Sequence, residues 1–423
     1  MVTTEVSTAG KAALGRGAEE WRRHWPLILT TLVGSTFTGQ HVYSTGVIMK
    51  PLNEAFGWSR GEISLTVTMA GLATVFFATF VGMLTQRYGA RRVAIVAVPL
   101  TALCFSAIAL TGPALWTYYA AFAIYAIIQV AIGPVLWASA VTSTFKVSRG
   151  LALGVGLSGT GFSSIIYPQA ALWLTERFGW QGVFCGLALT AFLLLMPLVL
   201  FAFRPLHDGE ARTAATPARP ASGLTFREAI RTSLFWRVIL VLTTAAATIS
   251  TIKVHLVPLL TDKGVSAPVA ASIIGVLGLS TLAGRWIGGF LLDRFPARWV
   301  AIPFFVLPAG GCLLFANFGG GVEHAVLAAA MIGVSYGVEG DMLPFLVSRY
   351  FGQREYSKVF GLSMSFFGLG YAVAPPAAGF LFDRIGSYGT FLTVLAGLLI
   401  VAAIVASTFG RYPDEAEDGP GPP

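Results

Sequence analysis

The sequence predicts an all-α membrane protein with twelve transmembrane helices arranged in two six-helix repeats. Three observations support this fold class. Of 423 residues, 55% are hydrophobic and 11% are charged, whereas roughly a quarter of the residues in soluble domains are charged. The apolar residues form about twelve stretches, each close to the roughly 20 residues that a helix needs to cross a bilayer. One constant shift also aligns the two halves of the chain. The composition therefore excludes a soluble enzyme or a nucleic-acid-binding protein.

The twelve predicted spans follow one another with short turns between them. The first six occupy residues 25–50, 61–86, 93–112, 114–144, 151–175 and 180–203. The second six occupy residues 235–260, 268–292, 300–318, 325–350, 359–382 and 388–409. We expect each set to form one bundle, so that the domains are a tail (1–24), a bundle (25–204), a linker rich in Pro and Ala (205–234), a second bundle (235–411) and a tail (412–423).

The distribution of charge predicts the orientation of the chain. The net charge is +8, and most of the 28 Lys and Arg residues fall on the side of the membrane that also holds both termini. Cytoplasmic loops are the ones enriched in Lys and Arg. We therefore expect both termini in the cytoplasm of a multi-pass protein of the plasma membrane, which is the inner membrane in a bacterium. The excess of basic residues is explained by the orientation of the loops, so it predicts no nucleic-acid partner.

The two sets of spans are copies of each other. A shift of 207 residues pairs Gly82 with Gly289 and Arg87 with Arg294, and further Gly, Pro and Arg residues agree in the same register. Six spans per copy leave both copies in the same orientation, related by an axis along the membrane normal. Transporters of this kind hold substrate near the midplane, at the interface between the repeats.

The linker ends in a short predicted helix. Thr225 and Glu228 have the spacing of a capping box, in which each side chain bonds the backbone of the other residue. Phe226, Ala229 and Ile230 then form an apolar stripe, which is typical of a helix at the membrane interface. A packing role is preferred for this helix.

Two loops related by the repeat carry a recognisable charge pattern. Gly82-Met-Leu-Thr-Gln-Arg87-Tyr-Gly-Ala-Arg91-Arg92 follows the second span, and Gly289-Phe-Leu-Leu-Asp293-Arg294-Phe-Pro-Ala-Arg298 follows the eighth. Both resemble the loop signature of the major facilitator superfamily, which implies charge contacts that break as the halves rock. Because Gln86 replaces the acid expected in the first copy, the contact is favoured at Asp293. The candidate gating residues are Arg87, Arg91, Arg149, Asp293, Arg294 and Arg298.

Four segments are similar to the monocarboxylate and oxalate/formate transporters within that superfamily. They are the stretch from Tyr43 through Phe56-Gly57-Trp58-Ser59-Arg60, the start of span five at Arg149, the pair Gly284-Arg285, and Arg349-Tyr350-Phe351-Gly352. The resemblance covers essentially the whole chain. It implies a secondary carrier for a small organic anion, driven by protons or by exchange for a counter-anion. Thr281 stands where animal proton-coupled members carry an acid, so their coupling scheme does not transfer directly.

Two basic residues, Arg285 and Lys253, lie inside predicted spans, where ionisable groups are functional hypotheses by default. The resemblance implies that Arg285 holds the substrate carboxylate, and a guanidinium can do so through two parallel hydrogen bonds. The alternative is a structural ion pair of Arg285 with Glu339 or Asp341. Lys253 is either a second anion ligand or a side chain that extends towards the membrane surface.

Small residues surround Arg285 on its predicted helix. Gly278, Thr281 and Gly288 share its face, at i−7, i−4 and i+3. A face of this kind either lines a cavity or packs tightly against another helix.

Candidates for proton coupling are Glu339, Asp341, His41 and His255. Glu339 and Asp341 point about 200° apart on a helix, so they cannot face one cavity equally. A buried acid could carry a proton, or the two acids could instead neutralise the intramembrane basic groups. Each histidine could exchange protons or could pack as a hydrogen-bonded core residue.

Aromatic side chains complete the predicted site. The resemblance implies that rings enclose the substrate, and core packing is the default alternative for each one. The candidates are Tyr43, Tyr336, Phe366, Phe367 and Tyr371.

The alternative function is an efflux carrier for drugs or amphipathic metabolites. Tyr167-Pro168-Gln169 follows scattered glycines without completing the span-five signature of such exporters.

Gly156-Leu-Ser158-Gly159 matches intramembrane serine proteases, but the sequence places no base near Ser158. Without a nucleotide-binding, zinc or dinucleotide motif, we expect no enzymatic activity, no cofactor and no metal. No obligate protein partner is predicted.

Overall fold

The computed structural model describes residues 2–145, 148–205, 223–352 and 354–410 of the chain. These residues form fifteen α-helices joined by short loops, and no β-strand occurs among them. The predicted all-α fold class is confirmed.

Eight helices make up the first half of the chain. They are α1 (Val2–Phe37), α2 (Gln40–Phe56), α3 (Arg60–Tyr88), α4 (Ala90–Ala107), α5 (Leu115–Gln129), α6 (Pro134–Thr144), α7 (Arg149–Leu157) and α8 (Gly159–Phe201). Helix α8 covers most of the predicted spans 151–175 and 180–203. Gly179 divides it with φ of 70°, a left-handed conformation that glycine adopts readily, and this division lies at the predicted boundary.

Three predicted spans are broken where glycine or proline weakens the helix. The breaks follow α1, α5 and α7, beside Gly39, Gly133-Pro134 and Gly159. Glycine has a low helix propensity, and proline cannot donate to the helical hydrogen-bond ladder. At the first break, the Gln129 amide donates to the Thr38 carbonyl at 3.2 Å. A polar side chain thus provides the hydrogen bond that this backbone carbonyl loses where the helix is broken.

Each span predicted in the second half corresponds to one helix. The helices are α9 (Phe226–Arg231), α10 (Ser233–Asp262), α11 (Ala267–Arg294), α12 (Ala297–Ala316), α13 (Val322–Phe351), α14 (Tyr356–Ile385) and α15 (Gly389–Ser407). The predicted capping box of Thr225 and Glu228 is present at the start of α9. The interfacial position of α9 stays a prediction.

Many of the described helices are long and apolar enough to span a membrane. Nine helical stretches there are long and apolar enough to cross a bilayer. The predicted spans 25–50 and 325–350 are not among them. The helices at these two places, α1, α2 and α13, contain buried polar and charged side chains, and such groups are rare in membrane spans without a function.

The chain packs into two compact units. Unit 1 comprises Met1–His41, Phe76–Ser163 and Trp173–Thr213, and unit 2 comprises Val42–Val75, Ser164–Leu172 and Ala214–Pro423. Large aromatic side chains such as Trp137, Tyr125 and Phe105 fill the core of unit 1. Helix α10 is the centre of unit 2, with buried side chains along most of its length. The domain boundaries expected from the sequence stay a prediction.

The internal duplication is visible in the helix packing of unit 2. The Thr68 hydroxyl of α3 donates to the Ala372 carbonyl of α14 at 2.5 Å. Shifting both positions by 207 residues gives Gly275 and Ile165, and a Cβ added to Gly275 of α11 would lie 3.9 Å from the Ile165 Cα of α8. The α3–α14 contact and the α8–α11 contact are therefore formed by equivalent positions of the two repeats.

Candidate functional site

A lysine lies inside unit 2 among three tyrosines. Lys253 of α10 exposes 7% of its surface. Its Nζ lies 4.2 Å from the centre of the Tyr336 ring, 5.4 Å from that of Tyr43 and 5.8 Å from that of Tyr371. The negative face of an aromatic ring attracts a cation at such distances. The three rings therefore stabilise an ammonium group that has lost most of its water. We call these four residues the Lys253 cluster.

Three separate helices bring the tyrosines to Lys253. Tyr43 belongs to α2, Tyr336 to α13 and Tyr371 to α14. Helix α2 approaches α10 closely at Gly46, because a Cβ added there would lie 2.5 Å from the Val254 carbonyl oxygen. This glycine lets the two backbones meet one turn from Tyr43, and the tyrosine ring then extends over the neighbouring lysine.

An acidic side chain adjoins the Lys253 cluster. Glu339 lies one turn after Tyr336 on α13 and exposes 4% of its surface. Its carboxyl group interacts electrostatically with Lys253, although no ion pair within 4 Å joins these two described residues. Because the two buried groups interact electrostatically, the charge state of the Glu339 carboxyl affects that of the Lys253 ammonium, and the reverse.

Arg285 is half-buried on α11 and interacts electrostatically with Tyr336. Tight packing of α11 against α13 brings Arg285 close to Tyr336. A Cβ added to Gly337 of α13 would collide with the Thr281 carbonyl oxygen and the Arg285 backbone nitrogen of α11. A Cβ on Gly288 would lie 2.8 Å from Val338 side-chain atoms. Of the two interpretations of the small face, tight helix packing therefore holds at Thr281 and Gly288.

The two histidines occupy different surroundings. His41 is buried in unit 1, and its ring centre lies 4.4 Å from that of Phe122. His255 is buried in unit 2, with Nδ1 2.9 Å from the Tyr388 hydroxyl and Nε2 2.8 Å from the Pro375 carbonyl. Both ring nitrogens of His255 are therefore engaged within the protein.

The two predicted phenylalanines are half-buried on α14. Phe366 packs edge-on against Trp236, with 5.6 Å between the ring centres. Trp236 lies near the start of α10, about 25 Å along that helix from Lys253. The structure therefore places Phe366 away from the Lys253 cluster. The Asp341 side chain lies outside the described residues.

One site in unit 2 was missed by the sequence analysis. Arg60 binds Asp262 and Tyr388 where α3 begins and α10 ends. The sequence pattern places Arg60 in a motif and predicts no role for Asp262. No sequence signal could pair them, because 202 residues separate the two.

The sequence profile of the Major Facilitator Superfamily matches residues 31–356. This chain belongs to the Major Facilitator Superfamily. Human monocarboxylate transporter 11 is 30% identical over 391 residues, covering 85% of this chain and 77% of that protein. The uncharacterized MFS-type transporter YcxA of Bacillus subtilis (strain 168) is 24% identical over 402 residues, covering 91% and 94%.

A solved structure shows the same fold. The D-xylose–proton symporter superposes with a TM-score of 0.73 at 16% identity, covering 92% of this chain and 98% of that chain. The protein is thus a multi-pass membrane transporter of the Major Facilitator Superfamily and not an enzyme. The fold predicted from the sequence, with twelve spans in two repeats, is that of the superfamily.

The loops that resemble the superfamily signature are partly described. Gly89 has φ of 86°, which favours glycine at this turn between α3 and α4. Arg91 donates to the Leu200 carbonyl at 2.7 Å. The other described arginines lie beside aromatic rings, Arg87 at Tyr88, Arg294 at Phe290 and Arg298 at Trp299. The side chains of Asp293 and Arg149 lie outside the described residues. A gating role for this set stays a prediction.

Proposed function

We propose that this transporter is a secondary carrier of small monocarboxylate-like organic anions, driven by protons or by anion exchange. The observation that carries the proposal is the position of Lys253, a buried ammonium surrounded by tyrosine rings. A charge at this depth is costly unless it serves a function. An anionic substrate supplies the opposite charge, and the rings supply flat apolar walls.

The neighbouring charges favour a monoanion. Lys253 and Arg285 both act on Tyr336, and Glu339 acts on Lys253. With Glu339 ionised, these three side chains carry one net positive charge. Protonation of Glu339 raises that charge by one unit and strengthens the attraction for a carboxylate. This coupling would let a proton and a monoanion bind together, with Arg285 as a second carboxylate ligand.

The proposed cycle follows from the repeats. Residues 25–204 and 235–411 would rock about the site and expose it to each side of the membrane in turn, as in other carriers with repeated bundles. The distribution of Lys and Arg supports both termini in the cytoplasm. We place the protein in the plasma membrane, which is the inner membrane in a bacterium. The name of the human relative supports the substrate class, and we carry that class to this chain as a proposal.

Counterflow in proteoliposomes tests the substrate class. The panel contains lactate-like, aromatic and dicarboxylic acids and amphipathic cations, each with and without a pH gradient. We expect exchange of monocarboxylates, its loss in Lys253→Met, and partial retention in Lys253→Arg. Lys263→Met is the matched control, because Lys263 is an exposed lysine just beyond the same helix.

Two results would contradict the proposal. One is wild-type exchange of acids by Lys253→Met in correctly folded protein. The other is movement of amphipathic cations without movement of any acid, which would favour the efflux carrier instead.

A further inference from the structure

A charged cluster joins three helices at one end of unit 2. Arg60, the first residue of α3, forms two hydrogen bonds to Asp262, the last residue of α10, at 2.6 and 2.7 Å. Arg60 also donates to the Tyr388 hydroxyl at 3.0 Å, and its guanidinium carbon lies 4.0 Å from the centre of the Phe382 ring. The Arg60 and Asp262 side chains are 19% and 34% exposed. A paired, partly buried contact of this kind is stronger than an ordinary surface ion pair.

A second acid fixes the start of α3. The carboxylate of Asp383 accepts hydrogen bonds from the backbone nitrogens of Arg60 at 3.1 Å and Gly61 at 2.9 Å. The first amides of a helix lack partners within it, and a negative charge there is favourable. The backbones also touch, because a Cβ added to Gly379 of α14 would lie 2.7 Å from the Gly61 Cα.

The contact extends inwards through a directed chain of hydrogen bonds. The Pro375 carbonyl can only accept, so the nearby Nε2 of His255 carries the proton that is donated to it. In the neutral ring Nδ1 is then an acceptor for the Tyr388 hydroxyl at 2.9 Å. The Tyr388 oxygen in turn accepts from Arg60. Arg60 is therefore tied to both α10 and α14 through groups that suit its positive charge.

The equivalent contact in the other repeat lacks this charge. The shift of 207 residues carries Arg60 to Ala267, which likewise is the first residue of its helix, α11. Near that end the α8–α11 contact holds Gln169, whose amide donates to the Ser272 hydroxyl at 2.8 Å. The shift also carries Asp383 to another acid, Glu176. Among the described residues, the α3 contact thus has an arginine paired with an acid, whereas the equivalent α11 contact has no arginine at this position and is bonded through the neutral Gln169.

We propose that Arg60, Asp262 and Asp383 form a latch that closes this end of the transporter and must open in each cycle. The latch lies at the end of α10 opposite the linker helix α9, which the distribution of Lys and Arg predicts to be the outer end. Separation of α3 from α10 and α14 breaks the Arg60 contacts. The latch therefore sets how often the outer side opens, and this inference does not depend on which substrate is carried.

Thiol labelling tests the latch without any substrate. Ser64 is fully buried beneath it, and the Ser64 hydroxyl donates to the Arg60 carbonyl. In a background with the three native cysteines replaced, Ser64→Cys is labelled with a membrane-impermeant thiosulfonate in right-side-out and inverted vesicles. Arg60→Gln and Asp262→Asn should each raise the labelling rate from outside about tenfold, the effect of weakening the closed state by ~1.4 kcal/mol.

The chain supplies a matched control. Lys50 and Glu54 form an exposed pair at 3.9 Å within α2, with 79% and 64% of their side chains exposed. Lys50→Gln should leave the labelling rate unchanged. The proposal would be overturned if both latch variants were labelled at the same rate as Ser64→Cys alone. It would also be overturned if Lys50→Gln raised the labelling rate as much as they do. Acceleration only in inverted vesicles would overturn its assignment to the outer side. Asp262→Asn is nearly isosteric, so it serves if Arg60→Gln fails to fold, as judged by gel filtration.

Discussion

The Nζ of Lys253 and the ring centre of Tyr336 lie 4.2 Å apart, the shortest lysine–aromatic distance in the Lys253 cluster. If this ring positions the ammonium group for substrate, its removal should weaken binding. A buried cation–π contact contributes on the order of 1–2 kcal/mol. We expect Tyr336→Ala to raise the Kd for substrate about tenfold. Tyr336→Phe keeps the ring but loses the hydroxyl that is hydrogen-bonded to Lys253, so it should raise the Kd by a smaller factor. Calorimetric titration of purified protein measures both; equal effects would indicate that the hydroxyl matters and not the ring.

Glu339 should determine whether a pH gradient drives transport. Glu339→Gln keeps the size of the side chain but cannot release a proton. We expect this variant to lose accumulation driven by a pH gradient while it still exchanges substrate across the membrane at equal pH. Uptake and counterflow in the same proteoliposomes separate the two activities. Unaltered gradient-driven accumulation would assign proton coupling to another group.

Arg285 should contribute to carboxylate binding through its planar fork. Arg285→Ala is expected to abolish transport, and Arg285→Lys to weaken it, because a point charge replaces two parallel hydrogen bonds. The counterflow rate and the apparent KM of each variant provide the measurement. Arg285→Ala with wild-type counterflow would leave Lys253 as the substrate's basic ligand.

Glu355 provides a prediction on pH outside the membrane spans. Its hydrogen bond from Lys358, and then that from the backbone of Phe226, hold the pKa of this carboxyl below its ordinary value of 4.5. A lowered pKa in the folded state means that the contact stabilises α9 above pH 4.5, and that the stabilisation is lost as the pH falls through the lowered value. From neutral pH down to 5, the docking of α9 should therefore be unchanged.

Hydrogen exchange of the Phe226 amide measures this contact. Glu355→Gln should speed exchange at neutral pH, and the difference from wild type should vanish at a pH below the folded pKa, after correction for intrinsic rates. Lys263→Gln changes an exposed charge at the other end of α10 and serves as the control. An equal difference at every pH would show that the carboxylate charge has no part in docking.

The helices could be predicted well because their signal is local. Apolar length defines the spans, and Gly179 marks the turn inside α8 where the prediction had placed a boundary. The interruptions in three spans were missed, because the prediction counted apolar length and did not weigh a single Gly39 or Gly133 within it. The seven helices from α9 onwards agree closely with prediction, although α12 and α14 each contain two prolines. A glycine or proline within a span therefore does not by itself predict a break.

The candidate site could be predicted only as separate residues. Lys253 was recognised because a charge inside a span is unusual, and Tyr43, Tyr336 and Tyr371 came from the resemblance. Their convergence depends on three helices packing on α10, in part through Gly46, and no local pattern contains that information. The same limit explains why the partners of Arg60 were missed. Asp262 and Asp383 lie 202 and 323 residues away along the chain.

The interrupted helices of the first half have a consequence for movement within lipid. Hydrocarbon offers no hydrogen bonds, so irregular backbone persists at that depth only where protein groups satisfy it. Gln129 does so for the Thr38 carbonyl, and the Trp137 indole does so for the Ile132 carbonyl at 2.7 Å. These points can bend without exposing bare peptide groups to the acyl chains. We therefore expect a helix to be able to change direction at these two points while it stays in the membrane.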